Sequence, residues 1–130
     1  QPSVVWVTGH VFTGASGTPT HENYQSGTGT TARVTVNVVG SDFLVLAAVA
    51  ITGDSIGTTP LNSMTEQDSY ASNPDLTADF LSRNHTSGST FQAGTTLATS
   101  KSWAIVAVSF PFEAIPAAAG NSGVQMFGAA

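Results

Sequence analysis

At 130 residues with no cysteine, the chain is long enough for one domain with its own core and too short for two of ordinary size, and neither disulfides nor thiolate metal sites can hold it together. Charged residues make up only 8% of it, against about 25% in an ordinary soluble domain, and eight carboxylates outnumber Arg33, Arg83 and Lys101 for a formal net charge of -5. Three scattered cations cannot supply the phosphate contacts of nucleic-acid binding, and no apolar run approaches the about 20 residues of a membrane-spanning helix.

The chain starts at Gln1 with no basic-then-apolar leader, which is the expected appearance of a secreted, extracellular protein whose signal peptide has been removed. Ser3 to Thr13, SVVWVTGHVFT, reads as a strand with two apolar faces: Val4, Trp6, Thr8, His10 and Phe12 on one side, and Val5, Val7, Gly9 and Val11 on the other. The edge strand of a lone monomer should not look like that. Gly14 to Thr31, rich in glycine and hydroxyls and without periodicity, reads as a long loop or extended connector.

Thr31 to Val39 alternates cleanly, with Val34, Val36 and Val38 facing one way and Arg33, Thr35 and Asn37 the other, as in a half-exposed strand. Gly40-Ser41-Asp42 is expected to turn it, as a hairpin, into FLVLAAVAI, Phe43 to Ile51, a stretch with no charge, Gly or Pro that reads as a buried central strand. Gly53 to Pro60 breaks the chain, and Leu61 to Tyr70 is expected to hold a short irregular strand around Met64. After the turn signal Asn73-Pro74-Asp75, Leu76 to Arg83 alternates as a strand, with a short helix as the other reading. Asn84 to Gly88 reads as a polar turn and Ser89 to Thr99 as a Thr-rich strand. Thr99-Ser100-Lys101 is expected to turn it into a second apolar run, Trp103 to Phe110, which Pro111 ends. Residues 113–130 form an Ala- and Gly-rich tail. The expected fold is all-β: one domain, 1–130, an antiparallel β-sandwich of about seven strands.

In a two-sheet sandwich each strand turns one face inward and one toward water. The two apolar runs depart from this, since Leu44, Leu46, Ala48 and Ala50, with Ala104, Val106, Val108 and Phe110, would point outward. The connector 14–31, the tail or another copy of the chain must cover them. Burying about 400 Å² of such surface is worth roughly 10 kcal/mol before association entropy. An N-terminal strand apolar on both faces also fits donor-strand exchange, in which one subunit's strand completes its neighbour's sheet; repeated head to tail, that contact makes a filament. The residues expected to carry it are Val4, Val5, Trp6, Val7, Val11 and Phe12, with Val124, Met126 and Phe127 of the tail.

Chemistry-bearing patterns are sparse. His10, His21 and His85 lack zinc-ligand spacing, and no nucleophile elbow, P-loop or dinucleotide fingerprint occurs, so neither catalytic residues nor a cofactor are expected and the chain reads as non-enzymatic. Glu66, Asp68, Asp75 and Asp79 lie close in sequence, as either a loosely built calcium site or a solvated acidic face. Trp6, Trp103, Tyr24 and Tyr70 suit either a sugar-stacking platform or, for the tryptophans, the core. Asn84-His85-Thr86 is a glycosylation sequon, a triplet that also occurs often by chance, so Asn84 is a candidate site of an N-linked glycan.

The order TARVTVNVV, FLVLAAVAI, a polar middle and SWAIVAVSF followed by Pro resembles β-sandwich modules of secreted surface and phage-associated proteins, over residues 31–111. That resemblance implies a jelly-roll-like or immunoglobulin-like sandwich used for adhesion, display or assembly. The N-terminal strand and the tail are similar to those of donor-strand subunits of bacterial and archaeal extracellular filaments. The expected function is therefore a structural subunit of an extracellular filament or pilus-like polymer, with other copies of itself as partner. The alternative is a carbohydrate-binding or adhesin module whose partners are glycans.

Overall fold

A computed structural model of the chain describes residues 9–15, 18–38, 43–53, 55–73, 75–85 and 90–112. Its strands are β1 (His21–Asn37), β2 (Phe43–Thr52), β3 (Thr58–Pro60), β4 (Thr65–Asn73), β5 (Leu76–His85) and β6 (Thr90–Pro111), all joined antiparallel in one sheet of order β1-β6-β2-β5-β4, with β3 on β6. The described residues contain no helix, and so none long and apolar enough to cross a membrane.

The chain is organised by a fold in its longest ladder. His21 and Asn37 stand at opposite ends of β1, and 37 − 21 = 16 extended steps would set them about 53 Å apart. Yet the Asn37 amide donates to His21 Nδ1 at 2.9 Å, and Asn23 Nδ2 donates to the Thr35 carbonyl at 2.9 Å. The strand therefore doubles back, and both bonded pairs centre on Gly29. Gly29 has φ 151°, a region that glycine enters far more cheaply than any residue with a Cβ. β6 follows it around the corner: Gly29 pairs with Lys101 and Thr31 with Thr96, so Leu97 to Ser100 span the outside of the bend.

This folded ribbon makes two layers. The first holds the N-terminal half of β1, the C-terminal half of β6, then β2, β5 and β4; the second holds the C-terminal half of β1, the N-terminal half of β6 and β3. Ser109 Oγ donates across them to the Asn37 carbonyl at 2.8 Å, and the Ile56 amide before β3 donates to Thr77 Oγ1 of β5 at 3.0 Å. Between the layers lies one core. Val34, Val36, Phe91, Ala93 and Leu97 meet Val45, Ala47, Val49, Ile51, Leu81, Ile105 and Ala107. The alternation of Val34, Val36 and Val38 is thus the inward face of β1, and FLVLAAVAI is the central strand β2, buried on its inner face with Ala48 and Ala50 exposed on the other, beside the apolar half of β6.

Several sequence expectations are corrected. The expected loop 14–31 is strand from His21 onward; residues 22–28 are exposed on both faces, so no hydrophobic alternation marks them. β1 and β2 form no hairpin, because β6 lies between them. Ser89–Thr99 and Trp103–Phe110 are not two strands joined by a turn but parts of one, and Thr99-Ser100-Lys101 is the bend that matches Gly29. Asn84 and His85 belong to β5, paired with Leu44 and Phe43. Leu61 to Met64 is a turn with Asn62 and Ser63 at positive φ, and the strand begins after it at Thr65. Gly9 to Thr13 is not strand, while Ser3 to Thr8 and the tail 113–130 lie outside the described residues. Six strands are described where about seven were expected.

Candidate functional site: an apolar outer face and a polar cleft

The outward positions of the first layer line up in rows across the sheet. Tyr24 pairs with Val106, Val106 with Ala48 and Ala48 with Phe80; the next row is Ser26, Ala104, Ala50 and Ala78. Tyr24 is 79% and Val106 47% exposed, and Ala48, Ala50 and Ala104 beside them are also exposed. Between Tyr24 and Ala48 this row carries no charge; Asp68 stands at its far end beside Phe80, and Glu22 pairs with Val108 in the adjoining row.

The far end of these rows is covered. The His10 ring lies 5.1 Å and the Phe12 ring 6.3 Å from Phe80, leaving Phe80 half-buried, and His10 Nε2 stands 3.8 Å from Asp68 Oδ2. Ala15 then bridges to Phe112 at the end of β6. Of the expected assembly residues, Phe12 packs on its own sheet, whereas Val11 is 91% exposed. Val4, Val5, Trp6, Val7, Val124, Met126 and Phe127 lie outside the described residues. The connector expected to cover the outer face is instead, from His21, part of the sheet, and among the described residues His10 and Phe12 cover its Phe80 end.

Doubling of β1 creates a second feature on the other side of the sheet. At the Gly29 corner an open cleft of about 500 Å³ lies between the two halves of β1, lined by Asn23, Gln25, Gly27, Thr28, Arg33, Gln92 and Trp103 among others. Trp103 faces inward from β6 opposite Gly27, and a Cβ at that glycine would come within 3.0 Å of the ring. One side of the indole packs against the core, and its N–H is buried without an acceptor. The ring therefore serves core and cleft together. Tyr24 is on the opposite face and Tyr70 is on β4 at the far edge of the sheet, so these aromatics form no common platform with it.

Glu66, Asp68 and Asp79 lie near one another on β4 and β5, while Asp75 stands apart. Asp79 is 1% exposed, inside the core between Val49 of β2 and Ser69 of β4, with Oδ2 unpartnered. Burial pushes its carboxyl above the ordinary range, partly offset by a hydrogen bond from Thr58. Glu66 is exposed on the edge strand and is also raised, by burial first and then by the charges of Asp79 and Asp68. Asp75 is in an exposed turn. Among the described residues no group of three or more His, Asp or Glu is placed to hold a metal ion. Asn84 is exposed on β5.

Comparison with protein-family models, with curated proteins and with solved structures gives no match.

Proposed function

We propose that this chain is a non-enzymatic structural subunit of an extracellular filament or pilus-like surface polymer, its copies joined head to tail by donation of the N-terminal segment. The observation that carries the reading is the row Tyr24, Val106 and Ala48, apolar and open to solvent in the middle of a sheet. Large contiguous apolar patches are rare on monomers and commonly mark interfaces.

The two edges of the sheet favour contact through this face over simple strand addition. The β1 edge is crossed by the Asn23–Thr35 and His21–Asn37 bonds, and β4 has interrupted register and carries Glu66 and Asp68, features that discourage edge pairing. Residues 1–8, which include Val4, Val5, Trp6 and Val7, precede a segment anchored at Phe80 on the outer side of the sheet. Eight residues reach at most about 29 Å. They can therefore lie across the outer face of an adjoining copy, and a contact between unlike surfaces propagates without closing.

Deleting residues 1–8 tests the donated segment, because His10 and Phe12 stay in place on Phe80. The expected result is a folded chain, with an unchanged far-ultraviolet spectrum, that no longer polymerises. Undiminished polymerisation of the deleted chain would contradict donation, and a monomeric intact chain would favour the adhesin reading.

A further inference from the structure

The cleft at the folded corner of β1 stands apart from the polymer reading, since it opens between the two halves of β1 and is not lined by the Tyr24, Val106 and Ala48 row. Its chemistry is specific. Trp103 is seated over Gly27, where even a methyl group would crowd the ring, so the strand leaves space for the indole at this position. Gln25, Gln92 and Arg33 also line the cleft, Arg33 and Gln92 from positions that alternate with the core residues Val34, Phe91 and Ala93; their side chains make no hydrogen bond within the described residues, and Gln25 and Arg33 are exposed. An aromatic ring beside unspent amide and guanidinium donors matches a pyranose, with one apolar C–H face and a rim of hydroxyls.

Charge narrows the ligand further. Arg33 is one of only three cations in a chain with eight acids, and no carboxylate among the described residues lines the cleft. A guanidinium in a site free of acids is suited to a bidentate hold on a ligand carboxylate. One cation is too little for a nucleic-acid backbone. An extended peptide cannot add to β1 here, since Asn23 and His21 already bond across to Thr35 and Asn37. The volume of about 500 Å³ falls within the usual range of roughly 300–1,000 Å³ for small-ligand clefts.

We propose that this cleft binds an acidic oligosaccharide, with a hexuronate ring against Trp103, its carboxylate on Arg33, and Gln25 and Gln92 reading its hydroxyls. The test is isothermal titration calorimetry of the intact chain with trigalacturonate and, in parallel, with neutral galactotriose. The expected result is saturable binding of trigalacturonate, at least tenfold tighter than galactotriose, that weakens at least tenfold in Arg33→Gln and several-fold in Gln25→Ala. Both residues are exposed, so both variants should melt with the parent chain, which separates loss of the site from loss of the fold. No heat with either sugar overturns the proposal. Equal affinity for the two sugars, or an Arg33→Gln variant that binds trigalacturonate as before, overturns the assignment of the carboxylate to Arg33.

Discussion

Asp79 is the residue at which the core is least comfortable. Its carboxyl faces the interior at 1% exposure, one oxygen has no partner, and burial raises its pKa from the ordinary 3.8 against the pull of the Thr58 hydroxyl. A carboxyl whose folded pKa lies above its unfolded value stabilises the fold below the unfolded value, and that contribution is lost as pH rises through the folded one. The protein should therefore be relatively more stable near pH 4 than at pH 7 in this respect, and Glu66, shifted the same way, acts in the same sense. Asp79→Asn removes the buried charge and should raise the melting temperature at pH 7 while flattening its slope between pH 4 and 7. Thermal melts across that range check it, and an unchanged slope would mean that Asp79 is not the group responsible. Gly94 offers a second test at this scale. A Cβ there would overlap the Ala32 carbonyl oxygen and approach Arg33 Cα at 2.8 Å, with φ at 156°. Gly94→Ala should cost about 3 kcal/mol in chemical unfolding, the scale of a strained backbone plus a forced shift of the neighbouring strand.

Among the elements, the folded β1/β6 ribbon decides everything else. It places the hydrophobic half of each strand against the other layer, and it opens the cleft at its corner. Gly29→Val should disrupt the corner by demanding a β-branched side chain at φ 151°, costing about 1–3 kcal/mol and perturbing the near-ultraviolet signal of the nearby Trp103. A variant as stable as the parent would show that the bend is imposed by the layers and not by this residue. The same ribbon explains what could be read in advance. Val34, Val36 and Val38 alternate because one face of that half-strand is buried, and the alternation is legible. Glu22 to Thr28 has the same backbone conformation but is exposed on both faces, so nothing in its composition separates it from a loop. In β6, Thr99-Ser100-Lys101 has the polar character of a reversing turn. Only the partner strand, bending at the same place, shows it to be a corner in one continuous strand.

For the whole molecule, the apolar outer face was legible in part in FLVLAAVAI and WAIVAVSF: Ala48, Ala50, Ala104 and Val106 are exposed as their runs suggest, whereas Leu44 is buried and Leu46, Val108 and Phe110 are half-buried. The cleft was not. Gln25, Arg33, Gln92 and Trp103 are scattered over nearly eighty residues (103 − 25 = 78) and meet only because β1 folds. Low charge has a consequence at this scale as well. With 8% charged residues and none on the Tyr24, Val106, Ala48 row, association through this face should be driven by apolar burial and persist at high ionic strength, where contacts between exposed charges are screened.

The most direct measurement of the central claim is the solution mass of the intact chain by size-exclusion chromatography with light scattering, beside Val106→Lys. Val106 is 47% exposed on the outer face, so a lysine there can be solvated without disturbing the core. The account predicts polymers for the parent chain that survive dilution and 1 M salt, and a folded monomer of about 13.2 kDa for the variant. A parent chain that elutes as a monomer at all concentrations, or a Val106→Lys variant that polymerises as the parent does, would contradict it.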